Sequence, residues 1–176
     1  MGDQSEKPFL YVVVCAAGIA HGVGELLAAA RKAGWEVGVI ATPRALGFLD
    51  VAAAGTLTGH PVRSAWRRPG DPRPFPPPDA IAVAPATFNT INKWAAGMAD
   101  TLAVATLCEA YGAGVPTAAL PCVNADLAAH PAYRQSLDRL RGMGVRIGVS
   151  TAEAWRWEEA LELLAPVTAG RHPARP

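Results

Sequence analysis

The stretch Asp79–Thr101, DAIAVAPATFNTINKWAAGMADT, changes character once, and that change decides the fold. Ala80 to Ala84 is a short, wholly apolar run, as a strand buried on both faces requires. Pro85-Ala86-Thr87-Phe88 then reads as a turn, and the residues beyond it follow a helical pattern. The turn puts Thr87, Asn89 and Thr90 at the start of the helix, where backbone N–H groups have no intrahelical acceptor. A helix N-terminus at the carboxyl end of a parallel strand is a natural seat for an anionic or strongly polar ligand.

The same alternation extends in both directions. Phe9 to Cys15 is a second apolar run, followed by a tight turn at Gly18-Ile19-Ala20 and a helical stretch from Gly24 to Ala33 that Gly34 stops. Trp35 to Ala41 predicts the next strand and Arg44 to Leu57 the next helix, broken at Gly59-His60-Pro61. Val62 to Trp66 suggests a short strand. Arg67 to Pro78 is too rich in proline for helix or central strand, since proline removes backbone donors. A long helix from about Thr90 to Tyr111, a strand at Val115 to Leu120, a helix at Pro131 to Gly142 and a strand at Val145 to Val149 come next. Ser150 to Leu164 predicts a last helix, with Ser150 and Glu153 as a capping box. Residues 1–8 and 166–176 read as flexible ends.

Strands alternating with helices imply an α/β fold, a parallel sheet with helices on both faces in three layers. Four strand ends should meet on one rim: Ala17 to Ala20, Ala41 to Pro43, Pro85 to Thr90, and Pro121 to Asn124. Their small and polar residues form a cradle built largely of backbone, suited to a phosphate-bearing cofactor.

Bulk properties narrow the class. The 176 residues suit a single domain, with 51% hydrophobic and 18% charged residues. A net charge of +1 gives no case for nucleic-acid binding. Three scattered cysteines do not make a disulfide framework. No apolar run is long enough to span a membrane, and the first residues are polar, so a cytoplasmic protein is expected. No cluster suggests a metal site.

The segment PATFNTINKWAAGMAD resembles the PASANT motif and following helix of the flavin-containing cysteine decarboxylases, a family of lantibiotic peptidyl-cysteine and phosphopantothenoylcysteine decarboxylases. Other loops agree in order. Ala17-Gly18-Ile19-Ala20 is similar to the family's first flavin loop, and Thr42 to Phe48 to its second, where a Ser or Thr meets the phosphate and an aromatic residue follows. Thr58-Gly59-His60-Pro61-Val62 stands in place of S-G-N-P-V. Pro121-Cys122-Val123-Asn124 stands in place of P-x-M-N in the substrate motif P-x-M-N-x-x-M-W.

The resemblance implies a Rossmann-like flavoprotein that binds FMN, with FAD possible. It is expected to assemble as a homotrimer or homododecamer, with no membrane or nucleic-acid partner. The cofactor contacts it implies are Gly18, Ile19, Ala20, Thr42, Phe48, Pro85, Ala86, Thr87, Phe88, Asn89 and Cys122. Asn124 takes the place of the residue that grips the substrate carboxylate. The implied reaction is oxidative decarboxylation of the C-terminal cysteine of a biosynthetic (lanthipeptide- or linaridin-like) precursor peptide to an enethiol, with a phosphopantothenoylcysteine decarboxylase-like activity as an alternative.

Two positions depart from the family. Asp71 occupies the place of its active-site histidine, and Leu127 and Ala128 replace Met and Trp of the substrate motif. Asp71 and His60 are the candidate catalytic groups. Each also has a simpler role, Asp71 as a solvated turn residue and His60 as a helix-end histidine. His21, beside the first loop, is open to phosphate contact or to a helix N-terminal role. Cys122 could be a plain buried thiol. Phosphopantothenoylcysteine decarboxylases carry a further cysteine in a later substrate loop that helps reduce the enethiol; no cysteine follows Cys122 here, so the resemblance implies an enethiol product rather than a reduced thiol. A catalytically silent flavin-binding subunit is the alternative from another functional class.

Overall fold

The computed structural model describes residues 7–168. Five parallel strands form one sheet in the order β2-β1-β3-β4-β5. They are β1 (Phe9–Val14), β2 (Glu36–Ala41), β3 (Ala80–Ala86), β4 (Thr117–Pro121) and β5 (Arg146–Ile147). The helices are α1 (Gly24–Lys32), α2 (Val51–Thr58), α3 (Phe88–Ala96), α4 (Leu102–Gly112), α5 (Ala125–Ala129), α6 (Pro131–Gly142) and α7 (Glu159–Thr168).

Period-two alternation divides the strands between two cores. Leu10, Val12 and Val14 of β1 join Leu26, Leu27 and Ala30 of α1 and Ala160 and Leu164 of α7. Val13 and the following Cys15 face the other way, with Ile91 and Trp94 of α3, Leu107 of α4 and Leu140 of α6. Helices therefore cover both faces, and the apolar runs of the sequence are the strands that such burial requires. At the end of α1, Gly34 has φ +93°. The left-handed turn lets the N–H of Trp35 reach the Ala30 carbonyl at 3.1 Å.

Several elements differ from the sequence expectation. Arg44 to Leu57 is a 3-10 turn (Pro43–Gly47) followed by α2, whose N-terminus is capped by Asp50. The helix expected over Thr90–Tyr111 is two helices. Gly97, with φ +72°, ends α3, and Thr101 caps α4. Val62 to Trp66 contributes only a bridge between Arg63 and Ile40. The strand expected at Val145–Val149 is two residues long.

No helix starts at Ser150, and the capping box with Glu153 does not form. Glu159 instead accepts the N–H groups of Val149 and Ser150 at 2.7 and 3.0 Å, and also the Ser150 hydroxyl. This holds Ser150 to Trp157 in an irregular segment ahead of α7. Helix α7 reaches Thr168, past the expected start of the flexible tail. Residues 1–6 and 169–176 of the expected flexible ends lie outside the described residues.

The proline-rich segment is pinned to the sheet. Phe75 packs on Phe9 and Tyr11, with ring centroids 5.8 and 5.6 Å apart, and Tyr11 donates its hydroxyl to the Pro76 carbonyl at 2.7 Å. Gly38 of β2 makes the seat. A Cβ there would stand 2.9 Å from both Phe75 and Phe9.

Candidate functional site

The strand order places β1 and β3 side by side, while their following segments leave to opposite sides of the sheet. That crevice, at the carboxyl ends of the strands, is the topological switch point where sheets of this order bind ligands. Hydrogen bonds hold the strand ends in step. The N–H of Cys15 donates to the Pro85 carbonyl at 3.1 Å, that of Thr42 to Val14 at 2.9 Å and that of Cys122 to Ala86 at 2.9 Å. The four loops read from the sequence thus share one rim.

Helix starts in the fold satisfy their backbone donors in two ways, and α1, which continues directly from the Gly18–Gly22 turn, lacks a side-chain cap at Val23. Side chains cap α2 (Asp50), α4 (Thr101), α5 (Asn124) and α6 (His130). No side chain caps the 3-10 turn Gly18–Gly22, the turn Pro43–Gly47, or α3 behind Thr87. These three follow β1, β2 and β3. Their N–H groups concentrate partial positive charge at one place. A Cβ added at Gly18 or Gly47 would meet no atom within 4 Å, so both glycines border open space.

Around this rim the candidate residues separate. Asn89 is exposed at the start of α3, and Thr87 is half-buried. Thr90 is buried, within 3.3 Å of the Thr87 hydroxyl oxygen. Both threonines also hydrogen-bond the buried Cys15 thiol, but burial dominates and pushes that thiol up. Thr90 therefore supports the loop from beneath. Phe88 turns toward α6, stacking on Tyr133 at 5.9 Å and meeting the His130 ring edge-on at 5.9 Å. Phe48 is 44% exposed beside Leu46 at 38%, an apolar lip on the second loop.

His21 places Nδ1 2.6 Å from the Gly18 carbonyl and so braces its own turn. Cys122 is half-buried, with its thiol pushed up by burial and by the nearby Glu153 carboxylate. Asn124 accepts the Leu127 N–H through Oδ1 at 2.9 Å. Its amide Nδ2 makes no hydrogen bond among the described residues.

The two candidate catalytic groups stand apart from this rim. His60 packs against Phe9 and Phe75, with centroids 5.4 and 5.6 Å away, at the amino end of β1. Asp71 closes its own turn. Its Oδ2 accepts the Arg68 N–H at 2.9 Å, and Arg67 donates to its carbonyl at 2.7 Å. Within one chain neither is brought to the loops.

Sequence reasoning missed a fifth wall, the segment before α7. The Trp157 indole lies against Gly22 of the first loop, 3.3–3.6 Å from where a Cβ would be, and meets Trp155 edge-to-face at 5.3 Å. Nothing in the spacing of the two tryptophans names Gly22.

A profile of the Flavoprotein family matches residues 2–167. The chain belongs to this family. Among curated relatives it is 30% identical over 191 residues to the coenzyme A biosynthesis bifunctional protein CoaBC of Mycobacterium tuberculosis, covering 100% of this chain and 45% of that protein. It is 31% identical over 134 residues to the Escherichia coli K12 counterpart, covering 73% and 32%. This flavoprotein chain thus spans less than half the length of those relatives.

Similar solved structures include the FMN-dependent cysteine decarboxylase TvaF from thioviridamide biosynthesis, with TM-score 0.78, 21% identity and coverage of 93% and 99%. The cypemycin decarboxylase CypD gives TM-score 0.77 at 22% identity, covering 95% and 97%. A PPC decarboxylase variant in complex with pantothenoylaminoethenethiol gives 0.76 at 19%, covering 94% and 100%. These likenesses establish the Rossmann-like architecture.

Proposed function

We propose that this flavoprotein is an FMN-dependent decarboxylase that oxidises the C-terminal cysteine of a biosynthetic peptide and releases an enethiol. The observation that carries the reading is the set of uncapped N–H groups converging at the β1/β3 switch point of a Flavoprotein-family chain. Those donors, the open glycines and the apolar lip fit a phosphate joined to a flat apolar ring system.

Gly18, Ile19, Ala20, Thr42 and the first residues of α3 (Phe88 and Asn89, behind Thr87) would hold the cofactor. Pro85, Ala86, Phe48 and Cys122 would line its ring. Bound there, FMN would supply a two-electron acceptor for the cysteine CH2–SH, the oxidation that allows the neighbouring carboxylate to leave as CO2. Asn124 can hold that carboxylate through Nδ2 while Oδ1 keeps its capping bond. Neither Asp71 nor His60 reaches the rim of its own chain, so a base from either residue would come from another copy in a homotrimer or homododecamer.

The test is direct. Purified protein should be yellow and should convert a peptide ending in cysteine to a product lighter by CO2 and two hydrogens, read by mass spectrometry. Yellow protein that leaves both peptidyl-cysteine and phosphopantothenoylcysteine unchanged would instead fit a silent flavin-binding subunit. The engagement of Asp71 in its own turn favours that second reading.

A further inference from the structure

A second concave surface lies away from the rim, between the proline-rich segment and α4. It encloses about 430 Å³ and is bordered by Trp66, Arg67, Arg73, Pro78, Thr106 and Glu109. We propose that this groove binds an acidic stretch of the peptide whose C-terminal cysteine enters the rim; the inference rests on the peptide-decarboxylase reading.

Charge is the first argument. The whole chain carries +1, yet Val62 to Pro78 holds Arg63, Arg67, Arg68 and Arg73 against Asp71 alone. Three of these arginines line the groove, where Glu109 is the single acid. Arg63 and Arg67 each donate one N–H to a backbone carbonyl of their own segment, at 2.9 and 2.7 Å, which leaves the other donors of each guanidinium for an anion. Arg73 is exposed and makes no hydrogen bond or ion pair among the described residues. A guanidinium fork matches a carboxylate in two-pronged fashion.

Shape is the second argument. The volume falls within the range of small-ligand and peptide sites, and apolar surface lies between the cations. Trp66 is 58% exposed at the edge, and a flat ring there offers packing to a side chain or to extended backbone. The wall is also preformed. Prolines restrict its backbone, Phe75 is seated over Gly38, and Tyr11 is bonded to Pro76. Little ordering is then left for the binding step.

The test uses flavin-loaded protein and two fluorescein-labelled peptides without cysteine, one rich in Asp and Glu, the other in Ser and Gly. Fluorescence anisotropy should show the acidic peptide binding more tightly, and weakening as salt rises. Arg73→Glu should weaken it about tenfold and Glu109→Gln should strengthen it about threefold. With cysteine-ended versions, the acidic stretch should lower KM and leave kcat alone, and Arg73→Glu should remove that advantage. Equal binding of both peptides overturns the proposal. So does an Arg73→Glu protein whose assembly size changes while its peptide affinity does not, which would make the groove a contact between copies. Acidic-peptide binding that responds to Arg73→Glu without any mass loss supports the groove and counts against the decarboxylase reading alone.

Discussion

At the residue scale, Asn124 has two jobs that can be separated. Its Oδ1 caps α5, and its Nδ2 is left for a substrate carboxylate. Asn124→Ala removes both, costing about 1 kcal/mol at the cap as well as activity. Asn124→Asp keeps a capping oxygen but sets a negative charge against the carboxylate. The expected result is a thermal midpoint near that of the unchanged protein, with KM raised about tenfold or more for a cysteine-ended peptide. An Asn124→Asp protein with ordinary KM would remove this residue from substrate binding.

The polar rim residues were legible because motif order carried them. Thr87 follows β3, Asn89 lies in the first turn of α3 and Asn124 follows β4 as the cap of α5. His60 was not legible in the same way. A histidine after a helix-ending glycine reads the same whether it faces a ligand or, as here, two phenylalanine rings.

At the scale of elements, the latch formed by Glu159 controls the wall before α7. Burial alone would raise this carboxyl. The Ser150 hydroxyl, the Val149 and Ser150 N–H groups and Arg156 outweigh it and hold the group below its ordinary value of 4.5. A carboxyl depressed in the folded state contributes stability that is present above the unfolded value and lost as pH falls through the folded one. Stability should therefore drop below about pH 4.5 by more in the unchanged protein than in Glu159→Gln. Chemical denaturation at pH 7 and at pH 4 measures the difference, and parallel losses in both proteins would contradict the latch.

The strands were readable as apolar runs, but the helix boundaries were not. The break at Gly97 is marked only by single residues, a left-handed glycine that ends α3 and a threonine that caps α4, set among helix-favouring apolar neighbours. The segment Ser150–Trp157 escaped for another reason. Its conformation is fixed by a partner nine residues away, Glu159, and local pattern carries no trace of such a bond.

For the whole molecule, three uncapped turns at one rim mean that like partial charges are held together by the fold without an internal counter-charge. A ligand phosphate bound there binds the folded state alone, so it stabilises the protein by mass action. FMN at a hundred times its dissociation constant should add about 2.7 kcal/mol to the unfolding free energy. A thermal-shift titration reads this as a midpoint that rises with FMN, and riboflavin, lacking the phosphate, should give a smaller rise. Equal effects of the two would place the binding energy on the ring rather than on the rim.

The floor beneath that rim has a further property. All seven residues of β3 are buried, and β1 and β4 flank it on either side, whereas β5 has two half-buried residues. Amide protons of β3 should then exchange with deuterium only through global opening, while those of β5 and the 148–157 segment leave through small local excursions. A ligand arriving at the strand ends meets loops that can breathe, carried on a central strand that opens only when the whole chain unfolds.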